Sequence, residues 1–149
     1  LSDDERVAVA NSVGADLFIS LHCDAHPSPA VSGPRAVVAR ARTGPRPGMP
    51  GDLAELGFTA WGEGQRDQLP RSYRLADRLV TELAAEVDQP SRGVEEWPLP
   101  LLDAATMPAA YLEVATLTAP GSERRLREDR DRMVTAIVRA VDRFRRENP

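Results

Sequence analysis

The sequence holds one cysteine in 149 residues, so no internal disulfide can form and no disulfide framework supports the fold. It has no apolar run near the roughly 20 residues needed to cross a bilayer, which excludes a membrane-spanning helix. It opens with no charged-then-apolar leader, and its first residue is Leu1 rather than methionine, so a true N-terminus upstream is expected. Positive charge is not in excess either. Nineteen basic against 23 acidic residues give a net charge of -4, a poor match to nucleic acid as the main partner. What remains is ordinary for a folded chain: 42% hydrophobic and 28% charged residues can build a core, and the length suits one domain.

Local patterns divide the chain into helices and strands. Ser2-Asp3-Asp4-Glu5 reads as a capping box, with a short helix to Ser12 and Gly14 as its left-handed stop. Asp16 to Leu21 is a short apolar run suited to a buried strand, with His22 at its C-terminal end. Prolines and a glycine break the chain from His26 to Pro34, and a second strand is expected over Arg35 to Arg40. Between Thr43 and Pro70, prolines and glycines predict a surface loop or lid, with one amphipathic turn over Leu53 to Trp61. From Ser72, residues Leu75, Leu79, Val80, Leu83 and Val87 recur at helical spacing until Pro90. Ala109 to Val114 is a third apolar run of strand length. A final helix is expected to be capped by Ser122, its apolar face holding Leu126, Met133, Val134, Ile137, Val138, Val141 and Phe144. Strands alternating with long helices indicate an α/β layered fold.

Ligands in such folds gather outside the C-terminal ends of the strands, where both His22 and Glu113 fall. A glutamate between Leu112 and Val114 on a buried strand is costly unless it is paired, metal-bound or in a cleft. The plainer alternative is an edge-strand glutamate facing water. His22, Cys23, Asp24 and His26 place four potential metal ligands within five positions. A closed zinc site draws on two separated ligand pairs, however, and these two histidines are the only ones in the chain. His26, followed by Pro27, reads as a loop residue. Cys23 reads as a small buried residue rather than a nucleophile.

Two blocks carry a family resemblance. Arg6, Ala10-Asn11 and Ala15 to Ala25, with its Ser20-Leu21-His22 motif, precede Arg92-Gly93-Val94, Leu101-Leu102, Met107-Pro108-Ala109, Tyr111-Leu112-Glu113 and Leu117-Thr118. This order resembles zinc-dependent N-acetylmuramoyl-L-alanine amidases of the amidase-3 type, cell-wall hydrolases, across nearly the whole chain. The resemblance implies a three-layer αβα domain with a central mostly parallel or mixed sheet. It implies a zinc ion held by histidine, glutamate and histidine, with His22 as the last ligand and Glu113 as the catalytic carboxylate. The substrate it implies is the amide bond between N-acetylmuramic acid and L-alanine in peptidoglycan.

The family's first two ligands, in a glycine-histidine-glycine motif and a glutamate, lie before the part that this sequence matches. Residues 1–149 are therefore expected to form one amidase-like domain lacking its N-terminal strand and helix, binding zinc weakly or not at all and inactive alone. Asp24 stands where the family commonly has asparagine, and Ala115-Thr116 replaces glycine-phenylalanine. A monomer outside the cytoplasm, in the periplasm or cell wall or secreted, follows from the same resemblance. Arg92 and the Thr43 to Pro70 segment are candidate contacts to glycan or peptide, against the simpler readings of a solvated arginine and a disordered loop. Two alternatives stand beside the enzyme: a degenerate, non-catalytic peptidoglycan-binding or regulatory module of the same fold, and a zinc peptidase on a similar scaffold.

Overall fold

The structure, a computed structural model, describes residues 1–40 and 62–147. The chain starts with α1 (Asp3–Ser12). Its capping box forms as the sequence predicts: Glu5 N donates to Ser2 Oγ at 3.2 Å and Ser2 N donates to Glu5 Oε2 at 2.7 Å. Asp3, Asp4 and Glu5 put negative charge at the positive end of the helix dipole. Beyond the helix, Gly14 takes a φ of 60°, a value that L side chains rarely adopt.

Strands β1 (Phe18–Asp24) and β2 (Arg35–Ala39) follow, then α2 (Leu69–Glu86). Helix α2 starts before Ser72, with Pro70 in its first turn, where the missing N–H costs nothing. Ser72 instead lies buried inside it, donating to Gln65 Oε1 at 2.6 Å and accepting from Ala109 N at 2.9 Å. Residues 41–61, including the amphipathic turn expected over 53–61, lie outside the described residues. The later part of the expected 43–70 loop is not loose surface: Gln65 is buried and donates to the carbonyls of Ala105 and Met107.

The next strand, β3 (Val94–Trp97), and the single turn α3 (Pro100–Asp103) have no clear signal in the sequence, since Glu95 and Glu96 disguise a strand. Strand β4 (Ala109–Thr116) matches the third apolar run. The expected final helix is two, α4 (Ser122–Glu128) and α5 (Arg130–Glu147), divided at Asp129. Ser122 does not cap: Gly121 holds that position at a φ of 71°, and Ser122 is buried as the first helical residue. Met133, Ala140 and Phe144 of α5 face inward, whereas Val134 and Val138 are exposed, so the apolar face is narrower than the sequence suggests.

Among the described residues the sheet is mixed, in the order β1-β4-β2-β3. β1 runs parallel to β4 and β2 parallel to β3, while β2 and β4 are antiparallel. On one face, Ala36, Val38, Ala110 and Leu112 pack with Leu75, Leu79 and Leu83 of α2 and with Met133, Ala136 and Phe144 of α5. On the other, Val7 and Ala10 of α1 and Leu102 of α3 cover Ala39 and Ala109. This is a three-layer αβα arrangement. Among the described residues, no helix is long and apolar enough to cross a membrane.

Candidate active site

Side chains alternate along a strand, so register decides which of them meet. His22 lies opposite Glu113, Ser20 opposite Tyr111, and Arg35 opposite Glu113, which gathers these five residues on one sheet face. Glu95 and Trp97 of β3 join the same face, opposite Val37 and Ala39. This is the side covered by α1 and α3, and its far end carries polar groups, whereas the core of the other face is apolar, with Glu96 of β3 at its margin held by Tyr73.

Glu113 is 4% exposed and sits on an interior strand, so the edge-strand reading does not apply. Its burial is offset by Arg35, whose Nε donates to Glu113 Oε2 at 2.6 Å. Arg35 is committed on every side. Nη2 donates to Asp24 Oδ2 at 3.2 Å, Nη1 reaches Glu95 at 3.4 Å, and Cζ lies 4.4 Å from the centroid of the Trp97 ring. Trp97 Nε1 in turn donates to Glu95 Oε2 at 2.9 Å. Burial works against the Arg35 charge, yet the hydrogen bond and charge of Glu113, with the charges of Glu95 and Asp24, raise its pKa further.

Arg92 is not a solvated arginine. Its Nη1 donates to Asp24 Oδ2 at 2.6 Å and to Thr116 Oγ1 at 3.1 Å, which ties the ends of β1 and β4 to the segment before β3. Asp24 and Thr116, two of the positions that depart from the amidase pattern, therefore meet on one guanidinium. Partial burial alone would raise the Asp24 carboxyl. Hydrogen bonds from Arg92 and the Ala25 backbone, with the charges of Arg35 and Arg92, outweigh it and hold the carboxyl below its ordinary range.

His22 lies two residues before the end of β1 rather than at it. Its Nε2 is 2.7 Å from Ser20 Oγ, and its ring stacks on Tyr111 with centroids 4.0 Å apart and planes 12° from parallel. Burial and then the charge of Glu113 raise the Tyr111 phenol above its ordinary value, so this ring stays neutral beside the imidazole. Cys23 points away and is exposed, contrary to the buried position expected of it. Desolvation, then the charge of Glu113, pushes its thiol up, the opposite of an activated nucleophile. His26 is a loop residue as expected: its backbone N and O both bond Thr118 Oγ1, and its Nδ1 accepts from Ser28 N.

Among the described residues, no group of three histidine, cysteine, aspartate or glutamate side chains could hold a metal ion. The carboxylates nearest Glu113 converge on Arg35, whose guanidinium fills the space between them. These residues fit one ligand of a catalytic zinc, His22, and not the three that such a site needs. Sequence reasoning missed Arg35 altogether. The signal for it was an arginine opening an otherwise apolar strand, a placement that requires a buried acidic partner.

A family model described as N-acetylmuramoyl-L-alanine amidase matches residues 1–143. The chain belongs to that amidase family. It is 25% identical over 158 residues to the N-acetylmuramoyl-L-alanine amidase AmiA of Escherichia coli (strain K12), a match covering 92% of this chain and 54% of AmiA. It is 30% identical over 145 residues to the N-acetylmuramoyl-L-alanine amidase CwlM of Mycobacterium tuberculosis (strain ATCC 25618 / H37Rv), covering 96% of this chain and 30% of CwlM. The chain thus spans about half the length of one amidase relative and less of the other.

Among solved structures, an N-acetylmuramoyl-L-alanine amidase from Clostridium difficile 630 aligns with a TM-score of 0.74 at 20% identity, over all of this chain and 68% of its own. The amidase AmiC2 of Nostoc punctiforme aligns with a TM-score of 0.72 at 21% identity, over 98% of this chain and 67% of its own. At those identities the likeness is one of fold.

Proposed function

We propose that this chain forms most of the catalytic domain of a peptidoglycan hydrolase cleaving the amide between N-acetylmuramic acid and L-alanine. Glu113 acts as general base, and His22 is one ligand of a zinc ion. The observation that carries this reading is a buried carboxylate in register with a half-buried imidazole on one polar face of the sheet. Peptidoglycan places the protein outside the cytoplasm, and residues 1–149 act as one unit.

When bound, zinc supplies Lewis-acid polarisation of the amide carbonyl and the attacking water. The described residues do not complete its ligand set, so the remaining ligands would come from outside them. The part played by this chain is proton transfer and orientation. Glu113 Oε2 is held by Arg35, while Oε1 accepts no hydrogen bond among the described residues. Oε1 can therefore take a proton from water as its oxygen adds to the carbonyl carbon. The same proton then passes to the leaving nitrogen as the carbon–nitrogen bond breaks. Ser20 and Tyr111 fix the plane of His22 from two directions.

The test is zinc content per chain in the full-length protein, wild type and His22→Ala, beside hydrolysis of a defined muramoyl-peptide. One zinc in the wild type, loss of it in His22→Ala and turnover only in the former are the expected results. Normal zinc content in His22→Ala would remove that residue from the metal. The one-ligand inventory favours a second reading, a non-catalytic peptidoglycan-binding module. Binding to peptidoglycan without hydrolysis, unchanged by a chelator, would establish that reading instead.

A further inference from the structure

The Arg35 side chain is the most heavily partnered group on the polar face. Each of its three nitrogens is used: Nε on Glu113, Nη1 on Glu95 and Nη2 on Asp24. Its flat face lies against Trp97, and Trp97 is itself pinned through Glu95. Asp24 is held a second time by Arg92. A guanidinium fixed on four sides cannot swing toward a substrate. It can hold its remaining partner still.

That partner is Glu113, bound through one oxygen only. A carboxylate that must take a proton from a water needs a defined orientation, since misplacement of about 1 Å costs on the order of 10²-fold in rate. We propose that Arg35 is the positioning residue of Glu113, fixing its rotamer through Oε2 so that Oε1 is the oxygen offered to the reaction. Asp24, Glu95 and Trp97 are the brace that keeps Arg35 in place. This proposal rests on the reading of Glu113 as the general base. All nineteen basic residues of the chain are arginine, and this site uses what arginine alone provides. A planar fork with donors in three directions and a face that stacks has no lysine equivalent.

An ammonium also has three donors, but all three radiate from one atom and cannot reach partners set around three separate nitrogens of a planar fork, so Arg35→Lys retains the charge and loses the geometry. The test compares crystal structures and kinetics of Arg35→Lys and Arg35→Met in the full-length protein, with thermal midpoints to confirm folding. The proposal expects the Glu113 carboxylate displaced or split between rotamers in both variants. It expects kcat lower by about 10- to 100-fold in folded Arg35→Lys and at least as low in Arg35→Met, with KM within about threefold. A Glu113 carboxylate that keeps its place in Arg35→Lys, or a kcat there equal to wild type, overturns it. If Arg35→Met does not fold because it leaves carboxylates buried without a counter-charge, Arg35→Lys alone decides. A wild-type protein that hydrolyses no muramoyl amide would refute the assigned reaction, and the crystallographic comparison would still decide whether Arg35 sets the position of Glu113.

Discussion

The two faces of the sheet are built from the same strands and solve opposite problems. Under α2 and α5, Ala36, Val38, Ala110 and Leu112 are buried by apolar partners, and any similar side chain of fitting volume would serve. On the other face the alternate residues Arg35, Glu113, His22 and Asp24 are buried or half-buried polar groups, each tolerable only because a specific neighbour answers it. The first face stabilises by area, the second by pairing. A face held by pairing specifies single atoms, which is what a reactive site requires.

Substitutions that separate rate from stability test this contrast most sharply. In full-length protein, Glu113→Gln keeps shape and hydrogen-bonding capacity but cannot take a proton, so turnover falls about 10²- to 10⁴-fold while zinc content stays at the wild-type level. Steady-state kinetics and elemental analysis of one preparation check both. On the apolar face, Leu79→Ala removes a fully buried side chain and costs about 2–5 kcal/mol in denaturant unfolding. Activity per folded molecule should not change; if it fell as far as in Glu113→Gln, the two faces would not be separable.

Arg92→Met leaves Asp24 with Arg35 alone and removes a charged hydrogen bond among groups about 13–15% exposed. A loss of about 1–3 kcal/mol is expected, read from the unfolding midpoint. Acid separates the faces without mutation. The folded pKa of Asp24 lies below its model-compound value of 3.8. Its contribution is therefore fully present above the unfolded pKa and is lost as pH falls through the folded one. Asp24→Asn should flatten that part of the stability profile below about pH 4, where the unfolded carboxyl titrates. The smallest effect belongs to the exposed pair Arg78–Glu147 at 3.0 Å: Arg78→Ala should change stability by less than about 1 kcal/mol and less still at high salt.

Much of the apolar face is legible in the sequence. Leu75, Leu79 and Leu83 at helical spacing define α2, and the capping box places the start of α1, because both signals are local. Glu113 and His22 stand out as polar residues on apolar strands, so two members of the site are also visible. Their partners are not. Arg35 and Glu113 are 78 positions apart, and only the β2–β4 register brings them together. Strand β3 is hidden for a related reason: Glu95 and Glu96 read as solvated charges until Arg35 and Tyr73 are placed against them. Ser122 misleads because a serine before an apolar run resembles a cap, whereas it is buried as the first helical residue after Gly121; the helix expected from Ser72 starts earlier, at Leu69, because Ser72 is held inside it by Gln65 and Ala109.

The central claim, that the polar face is an amidase site worked by Glu113, is tested most directly by mass spectrometry of products from a defined muramoyl-peptide. Full-length wild-type and Glu113→Gln proteins would be compared with zinc present. The account predicts free N-acetylmuramic acid glycan and a peptide with a new amino terminus at L-alanine from the wild type, and only intact substrate from Glu113→Gln. Cleavage at a peptide bond within the stem, or equal cleavage by both proteins, would contradict it.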